Sequence, residues 1–334
     1  MTDAAMTDPA ALLLERGREL TEPAIRQAVD ALPGSIRHIV GYHFGWWDQF
    51  GKPLEVLSGK ALRPTIVLMC AEAAGGAAAQ AAPPAVAVEL VHNFSLIHDD
   101  VMDGDTMRRH RPTVWKVFGP GPAILAGDAL LTLAFDVLAV SGHPRVAEAS
   151  KVLNGAVQEL LEGQAEDLAF EDRETVTLAE CFQMARHKTA ALLEASAGLG
   201  ALFGGATPEI TVALRSFAAD IGLAFQVIDD LLGIWGSPVS TGKPIYSDLR
   251  SRKKSLPVVA AMTSGTEAGD RLSAVYGGDE DLAVLARLIE TAGARDWCRG
   301  QADVLTDRAL AALPAKKAFN GLAELARLMT SRDH

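Results

Sequence analysis

The chain has 334 residues, 49% hydrophobic and 22% charged, and its 31 Lys and Arg stand against 42 Asp and Glu for a formal net charge of −11. This profile excludes a disordered chain, a collagen and a disulfide-stapled mini-fold, and the length suffices to bury a substantial core. The acidic balance argues against a general binder of nucleic acid or of anionic membranes, since both require a broad positive surface.

Apolar residues recur at three- and four-residue steps, Ala and Leu abound, and alternating β-branched runs are scarce. The predicted fold is therefore all-α, a single large antiparallel helical bundle over 1–334. Residues 1–7 read as frayed. Asp8 then Pro9 is an N-cap with a first-turn proline, opening a helix toward Leu20, and Thr21-Glu22-Pro23 starts another. Further helices are predicted near 35–49, 64–74, 83–104, 120–141, 144–168, 178–203, 208–234 and 255–263, and from about 280 to the end. Gly75-Gly76 with Pro83-Pro84, the run Gly119 to Pro122, and Gly204-Gly205 before Pro208 mark turns between packed helices, not interdomain linkers. Cys70, Cys181 and Cys298 are too widely spaced for a disulfide framework or a CxxC zinc site, so packed thiols in a reducing, cytoplasmic compartment are expected. The N-terminus has no basic segment of a secretory signal, and Asp128 and Asp136 interrupt the apolar stretch from Ala123 to Val140, so no membrane span is expected.

Two acidic motifs end apolar helices. In Leu96-Ile97-His98-Asp99-Asp100-Val101-Met102-Asp103, the carboxylates of Asp99 and Asp103 lie one turn apart, about 6 Å along the axis, with Asp100 turned about 100° away. Paired hard oxygens at that spacing suit Mg²⁺, which takes one or two carboxylates and completes its shell with water and phosphate; the bland alternative is a solvated acidic helix end. The second helix, through Ile221 and Ile228, ends in Asp229-Asp230-Leu231-Leu232 and is expected to bury its acidic doublet among aliphatics, where an unpaired charge is costly. Its next-turn position is Gly233, so this second site lacks a carboxylate there. Lys60 and Arg63 before Pro64, Arg108-Arg109-His110-Arg111, Lys188, Lys243 and Lys253-Lys254 gather around these acids, a mixture suited to phosphate held jointly by cations and metal. Pro64 in a first helical turn adds free N–H groups and a favourable dipole beside Lys60 and Arg63.

The sequence resembles the trans-isoprenyl diphosphate synthases. The resemblance is carried by Gly59-Lys60-x-x-Arg63-Pro64, the DDxxD of Asp99 to Asp103, Arg108-Arg109, Gly163-Gln164-x-x-Asp167, Lys188-Thr189, Phe225-Gln226-x-x-Asp229-Asp230 and Gly242-Lys243-Pro244, in that order from about 55 to 260. It implies a bundle around a central apolar cavity. It also implies head-to-tail prenyl transfer, in which an allylic diphosphate (dimethylallyl, geranyl or farnesyl) ionises and the double bond of isopentenyl diphosphate attacks the carbocation, shielded from water. By the same resemblance Asp99 and Asp103 are ligands of two of about three Mg²⁺ ions and Asp229 of the third. Arg108, Lys188 and Lys243 grip the allylic diphosphate, and Lys60, Arg63, His92 and Arg109 hold isopentenyl diphosphate. Thr189 and Gln226 face the cation through oxygen dipoles, while Asp100, Gln164, Asp167 and Asp230 support the metal cluster. A homodimer is expected on the same ground. Taken alone, His92 reads as an ordinary core histidine.

Two positions depart from the family pattern. Gly233 stands in place of the last Asp of the second motif, and His110 stands where Gly commonly follows the paired arginines. For product length, Ser95 and Phe94 lie four and five residues before Asp99, just over one turn down the path of a hydrocarbon anchored there. An aromatic at the fifth position with no insertion in DDxxD resembles the geranylgeranyl diphosphate synthases, so Phe94 is the expected floor and a twenty-carbon product the expected outcome; plain core packing of Phe94 is the alternative. Two other functions fit less well. A class I terpene cyclase needs a ligand series that Asp229, Gly233 and Ser237 break. A noncatalytic partner subunit, suggested by Gly233, has no use for so many charged residues.

Overall fold

Helical periodicity is realised over most of the chain. The computed structural model describes residues 9–54, 59, 61–238 and 244–331. The helices are α1 (Pro9–Asp30), α2 (Gly34–Phe44), α3 (Leu62–Ala73), α4 (Ala82–Met102), α5 (Val114–Phe118), α6 (Pro120–Ala139), α7 (Val146–Glu171), α8 (Leu178–Ala185), α9 (Ala191–Phe203), α10 (Pro208–Trp235), α11 (Ser247–Arg250), α12 (Leu256–Met262), α13 (Glu267–Val275), α14 (Leu282–Thr291), α15 (Ala294–Ala312) and α16 (Asn320–Thr330). A small antiparallel hairpin, β1 (Met107–Arg108) with β2 (Arg111–Pro112), follows α4. The predicted all-α class is borne out.

Besides the short helices α5, α11 and α13, which the periodicity does not predict, four segments differ from the predicted pattern for physical reasons. Helix α1 runs straight through Pro23. Thr21, expected to cap a new helix, is instead buried, and its hydroxyl donates 2.8 Å to the Gly17 carbonyl one turn back. Proline removes one backbone donor there, while buried Ile25 and Val29 keep the turn packed. Helix α2 stops at Phe44, five residues early, because Gly45 takes φ 82°. Gly45 N–H then donates to the Tyr42 carbonyl and Trp46 N–H to the Gly41 carbonyl, both at 3.0 Å, which closes the end as a Schellman motif. The predicted helix 178–203 is interrupted by a π turn at Arg186–Ala190. Beyond 280, the expected single run is three helices, with Gly293 at φ 81° separating the first two.

Contacts gather into two compact units. The first comprises Met1–Val157, Leu192–Arg215 and Leu313–Leu325. Ile66 of α3, Leu90 and Ile97 of α4, Leu130 of α6 and Leu199 of α9 are fully buried in it. Close helix contact there depends on missing side chains: a Cβ on Gly200 of α9 would fall 2.3 Å from the Val67 carbonyl oxygen of α3. By length and composition alone α6 is apolar enough to cross a membrane. Its Leu130 and Leu138 are buried, whereas Ile124, Leu125, Asp128 and Asp136 are exposed. The second unit comprises Gln158–Ala191, Ser216–Ala312 and Ala326–His334. Its core includes Ile234, Leu249, Val258, Leu272, Leu285 and Ile289. Cys70, Cys181 and Cys298 are free, buried thiols as expected, and burial pushes all three upward, Cys181 to about 12.

The hairpin accounts for the departure at His110. Arg109 and His110 both have positive φ, 49° and 61°, which is the type I′ geometry that two-residue hairpins adopt. A residue with a Cβ is strained there, so glycine is the relaxed choice and histidine the costly one. Replacing His110 with glycine is expected to stabilise the fold by about 0.5–1 kcal/mol, read as a higher urea midpoint with an unchanged m-value; an unchanged or lower midpoint would show that the His110 side chain contributes more than its backbone strain costs.

Candidate active site

The last turn of α4 carries the first acidic motif. Asp99 is half-buried and Asp103 exposed, and the Asp103 N–H closes the helix on the Asp99 carbonyl at 2.8 Å. Asp100 points inward, 1% exposed, where a lone carboxylate would be expensive. Arg108 answers it: its Nε donates to both Asp100 oxygens at 2.9 and 3.0 Å, and an Nη2 nitrogen lies 2.8 Å from Oδ1. Burial opposes the Arg108 charge, but the hydrogen bonds and charge of Asp100 outweigh it, and the guanidinium is held above its ordinary range. The hairpin thus delivers Arg108 onto the inner face of the motif, and Arg111 pins the hairpin by donating to the carbonyls of Tyr42 and Trp47 at 3.0 and 3.1 Å.

Tyr42, His43, Asp100, Arg108, Arg109 and Arg111 line one small cavity. Beside it runs a polar chain. Asn93 donates through its amide nitrogen to the carbonyl and carboxylate of Glu89, at 2.8 and 3.1 Å, so its Oδ1 faces His43 Nε2 at 3.0 Å and accepts a hydrogen bond from it. His43 is neutral, drawn down to about 3 by burial first and then by Arg109 and Arg108. His92, one residue before Asn93, is also held well below its ordinary value by burial and by Arg63, Arg109 and Arg108. Burial pulls Arg109 down and Glu89 opposes this. Gly59 lies against Arg109: a Cβ there would meet Nη2 at 2.9 Å, and Arg18 donates to the Gly59 carbonyl at 3.1 Å. His92, Arg63, Arg108 and Arg109, named from the sequence, are thus brought within one electrostatic neighbourhood.

In the second unit, the π turn displays Lys188 and Thr189. Local widening of the helix at such a turn re-aims side chains, a device common at functional sites. A Cβ on Gly163 of α7 would fall 2.3 Å from the Lys188 backbone nitrogen, so the glycine lets α7 lie against the turn. Lys188 Nζ donates to Asp167 Oδ2 at 2.6 Å and Lys253 Nζ lies 3.3 Å from the same oxygen. Burial raises Asp167, but the two lysines prevail and hold it low. Thr189 donates to Gln226 Oε1 at 2.6 Å, Gln226 donates to Asp230 Oδ1 at 2.7 Å, and Leu256 N–H donates to Asp230 Oδ2 at 3.0 Å. Burial pushes Asp230 up to about 7, against the pull of Lys253.

The expected buried doublet is corrected: only Asp230 is buried, whereas Asp229 is exposed, because successive residues on α10 face about 100° apart. Phe94 is 3% exposed and meets the His98 ring edge-on at 4.9 Å, while the buried Ser95 hydroxyl donates to the His92 carbonyl. Lys60 and Lys243 lie outside the described residues. Sequence reasoning missed His43, Glu89, Asn93 and Arg18; Glu89 and Asn93 were detectable as polar residues three before and one after His92 on an otherwise apolar helix. Among the described residues no three His, Cys, Asp or Glu side chains gather closely enough to hold a metal by themselves. The exposed or half-buried carboxylates Asp99, Asp103 and Asp229 instead fit Mg²⁺, which needs few protein oxygens when phosphate completes its shell. Among the described residues, neither polar atom of the buried Gln164 amide finds a hydrogen-bond partner, as expected of a group that serves a bound water or ligand.

The polyprenyl synthetase family profile matches residues 47–292. A (2E,6E)-farnesyl diphosphate synthase of Mycobacterium bovis is 50% identical over 305 residues, covering 89% of this chain and 85% of the relative. A geranylgeranyl diphosphate synthase of Mycobacterium tuberculosis is 41% identical over 327 residues, covering 96% and 93%. The crystal structure of a polyprenyl synthetase from Streptomyces coelicolor A3(2) superposes with a TM-score of 0.90 at 45% identity, covering 95% of this chain and 98% of that one.

His43 sets a pH dependence. Its folded pKa, about 3, lies below the unfolded value of 6.5, so the unfolded chain binds the proton first as pH falls. Its neutral state costs nothing above pH 6.5, and stability declines from 6.5 toward 3. The upward shift of Asp230 acts oppositely, with stability declining as pH rises from 3.8 to about 7. His43→Gln keeps a donor for Asn93 and is expected to flatten the urea-midpoint profile between about pH 6 and 4 by one proton; parallel profiles for the two proteins would refute it. Asp100→Ala, which strands Arg108, is expected to cost about 3–5 kcal/mol in the same denaturation assay, and a loss under about 1 kcal/mol would mean that water replaces the carboxylate.

Proposed function

The chain belongs to the polyprenyl synthetase family and is a trans-isoprenyl diphosphate synthase, and on that premise we propose that it condenses an allylic diphosphate with isopentenyl diphosphate, in a magnesium-dependent head-to-tail reaction ending at geranylgeranyl diphosphate. One observation carries the reading: both aspartate motifs pair a more accessible first carboxylate, half-buried at Asp99 and exposed at Asp229, with an inner one locked by hydrogen bonds, and cations stand beside each inner one.

In this reading Asp99 and Asp103 hold two magnesium ions and Asp229 a third, and these supply charge neutralisation for the departing diphosphate. Arg108, Lys188 and Lys243 grip that diphosphate. Asp100 keeps Arg108 in place and Asp167 keeps Lys188 in place before substrate arrives, so little reorganisation is left for the moment of ionisation. Lys60, Arg63 and Arg109 bind isopentenyl diphosphate with His92, which is neutral and contributes a hydrogen bond, not a charge. The hydroxyl of Thr189 donates to Gln226, which leaves its oxygen lone pairs for the allylic cation, and Gln226 is fixed in turn by Asp230. Gln164 and Asp167 support the cluster. The proposal extends to a cytoplasmic homodimer joined through the outward apolar positions of α6, such as Ile124 and Leu125.

Phe94 serves as the floor of the product tunnel, which favours twenty carbons. A second reading, a fifteen-carbon product, is favoured by the half-identical relative named a farnesyl diphosphate synthase. Incubation with Mg²⁺, isopentenyl diphosphate and dimethylallyl, geranyl or farnesyl diphosphate is expected to give geranylgeranyl diphosphate. Phe94→Ala is expected to shift the distribution upward by at least one five-carbon unit. Products stopping at fifteen carbons support the second reading, an unchanged Phe94→Ala distribution rejects the floor, and cyclised hydrocarbon or no turnover overturns the synthase assignment.

A further inference from the structure

The π turn at Arg186–Ala190 carries both Lys188 and Thr189. Such a turn is wound more loosely than the α-helix on either side of it, and it persists only where its surroundings hold it. Helix α7 supplies that hold. Gly163 admits the Lys188 backbone, Asp167 accepts from Lys188 Nζ, and Glu166, which belongs to none of the motifs above, reaches the residue before Lys188.

Glu166 takes two partners at once. Gln183 Nε2 donates to its Oε1 at 2.9 Å, and His187 Nδ1 donates to its Oε2 at 3.0 Å; facing a carboxylate, the ring carries its proton on Nδ1. Gln183 lies in α8 and His187 in the π turn, so one carboxylate spans the junction between them. The His187 and Glu166 side chains are 22% and 20% exposed, more enclosed than an ordinary solvated pair. Consecutive acids of α7 thus hold consecutive residues of the turn, Glu166 with His187 and Asp167 with Lys188, and the register cannot slip by one residue without breaking both. On the far side of the turn, Thr189 donates to Gln226 of α10. Rewinding the turn as α-helix would rotate the chain after it by about 100° relative to the chain before it. An α-helix could therefore serve Glu166 or Gln226, but not both.

We propose that Glu166 and His187 are positioning residues: their bond, shared with Gln183, locks the winding of the π turn and so aims Lys188 at the allylic diphosphate and Thr189 at the allylic cation, without touching substrate. This role rests on the allylic roles assigned above to Lys188 and Thr189. A purely local clamp would instead change stability and leave the kinetics alone.

Steady-state kinetics in Mg²⁺, with the allylic diphosphate and isopentenyl diphosphate varied in turn, separate the two. His187→Ala and Glu166→Ala are expected to lower kcat about 10-fold or more, since misplacement on the ångström scale suffices for that, and to raise KM for the allylic diphosphate. KM for isopentenyl diphosphate is expected to stay within about twofold of wild type, because its binding residues are untouched. His187→Asn, which keeps a donor near the Nδ1 position, is expected to recover most of the loss, and the double alanine variant to be no slower than the slower single one, as for two residues acting as a unit. Amide hydrogen exchange at Lys188, Thr189 and Ala190 is expected to quicken in His187→Ala, which reads the turn without turnover. Glu166→Gln, which offers one acceptor to two donors, is expected to change kcat in the same direction and decides the matter if the alanine variants do not fold. Wild-type kcat and allylic KM in the clamp variants, whatever their melting temperatures, with Lys188→Ala still defective toward the allylic diphosphate, overturn this proposal alone. An unchanged allylic KM in Lys188→Ala overturns the allylic reading and this proposal with it.

Discussion

A buried carboxylate must be answered, and the second aspartate of each motif is where this protein answers one. Asp100 is met by two-pronged donation from Arg108, and Asp230 by a backbone N–H, a glutamine amide and an upward shift to about 7. The two solutions differ. Arg108 forms a two-pronged ion pair with Asp100 at the end of α4, whereas burial pushes the Asp230 carboxyl up to about 7. Each solution also fixes the helix end that carries the more accessible carboxylate, half-buried Asp99 or exposed Asp229.

The same economy governs the cations. Charged side chains near a diphosphate are useful only if they are in place before it arrives and do not collapse onto each other. Arg108 is restrained by Asp100, and Lys188 and Lys253 by Asp167; the Glu89 charge opposes the downward pull of burial on Arg109, and His43 and His92, held low by burial and the nearby arginines, add no positive charge. Concentrating positive charge at this hairpin would otherwise oppose folding. The neutral histidines are thus as much a consequence of the arginine cluster as a feature of the pocket.

Much of this was legible beforehand. Continuous three- and four-residue periodicity identified α3, α4, α6, α7 and α10, because burying one stripe of a helix leaves that signature in any context. The first acidic motif, the paired arginines and the Gly163-Gln164, Lys188-Thr189 and Gln226 motifs were readable because chemistry on a diphosphate restricts residue type and order together. Less legible were the ends and interruptions. The end of α2 at Gly45, the passage of α1 through Pro23 and the π turn at Lys188 are decided by which carbonyl a given N–H can reach, and several local sequences permit more than one answer.

By itself the sequence determined the helical class, the helices that carry the motifs, and the residue types able to hold phosphate and magnesium, since these follow from periodicity and from the chemistry of side chains near in sequence. Tertiary structure alone decided which carboxylate of each doublet turns inward, which cation it restrains, and that Glu166 meets His187 at the π turn. Those outcomes depend on contacts between residues such as Lys188 and Asp167, or His187 and Glu166, that are distant along the chain and become neighbours only when helices pack.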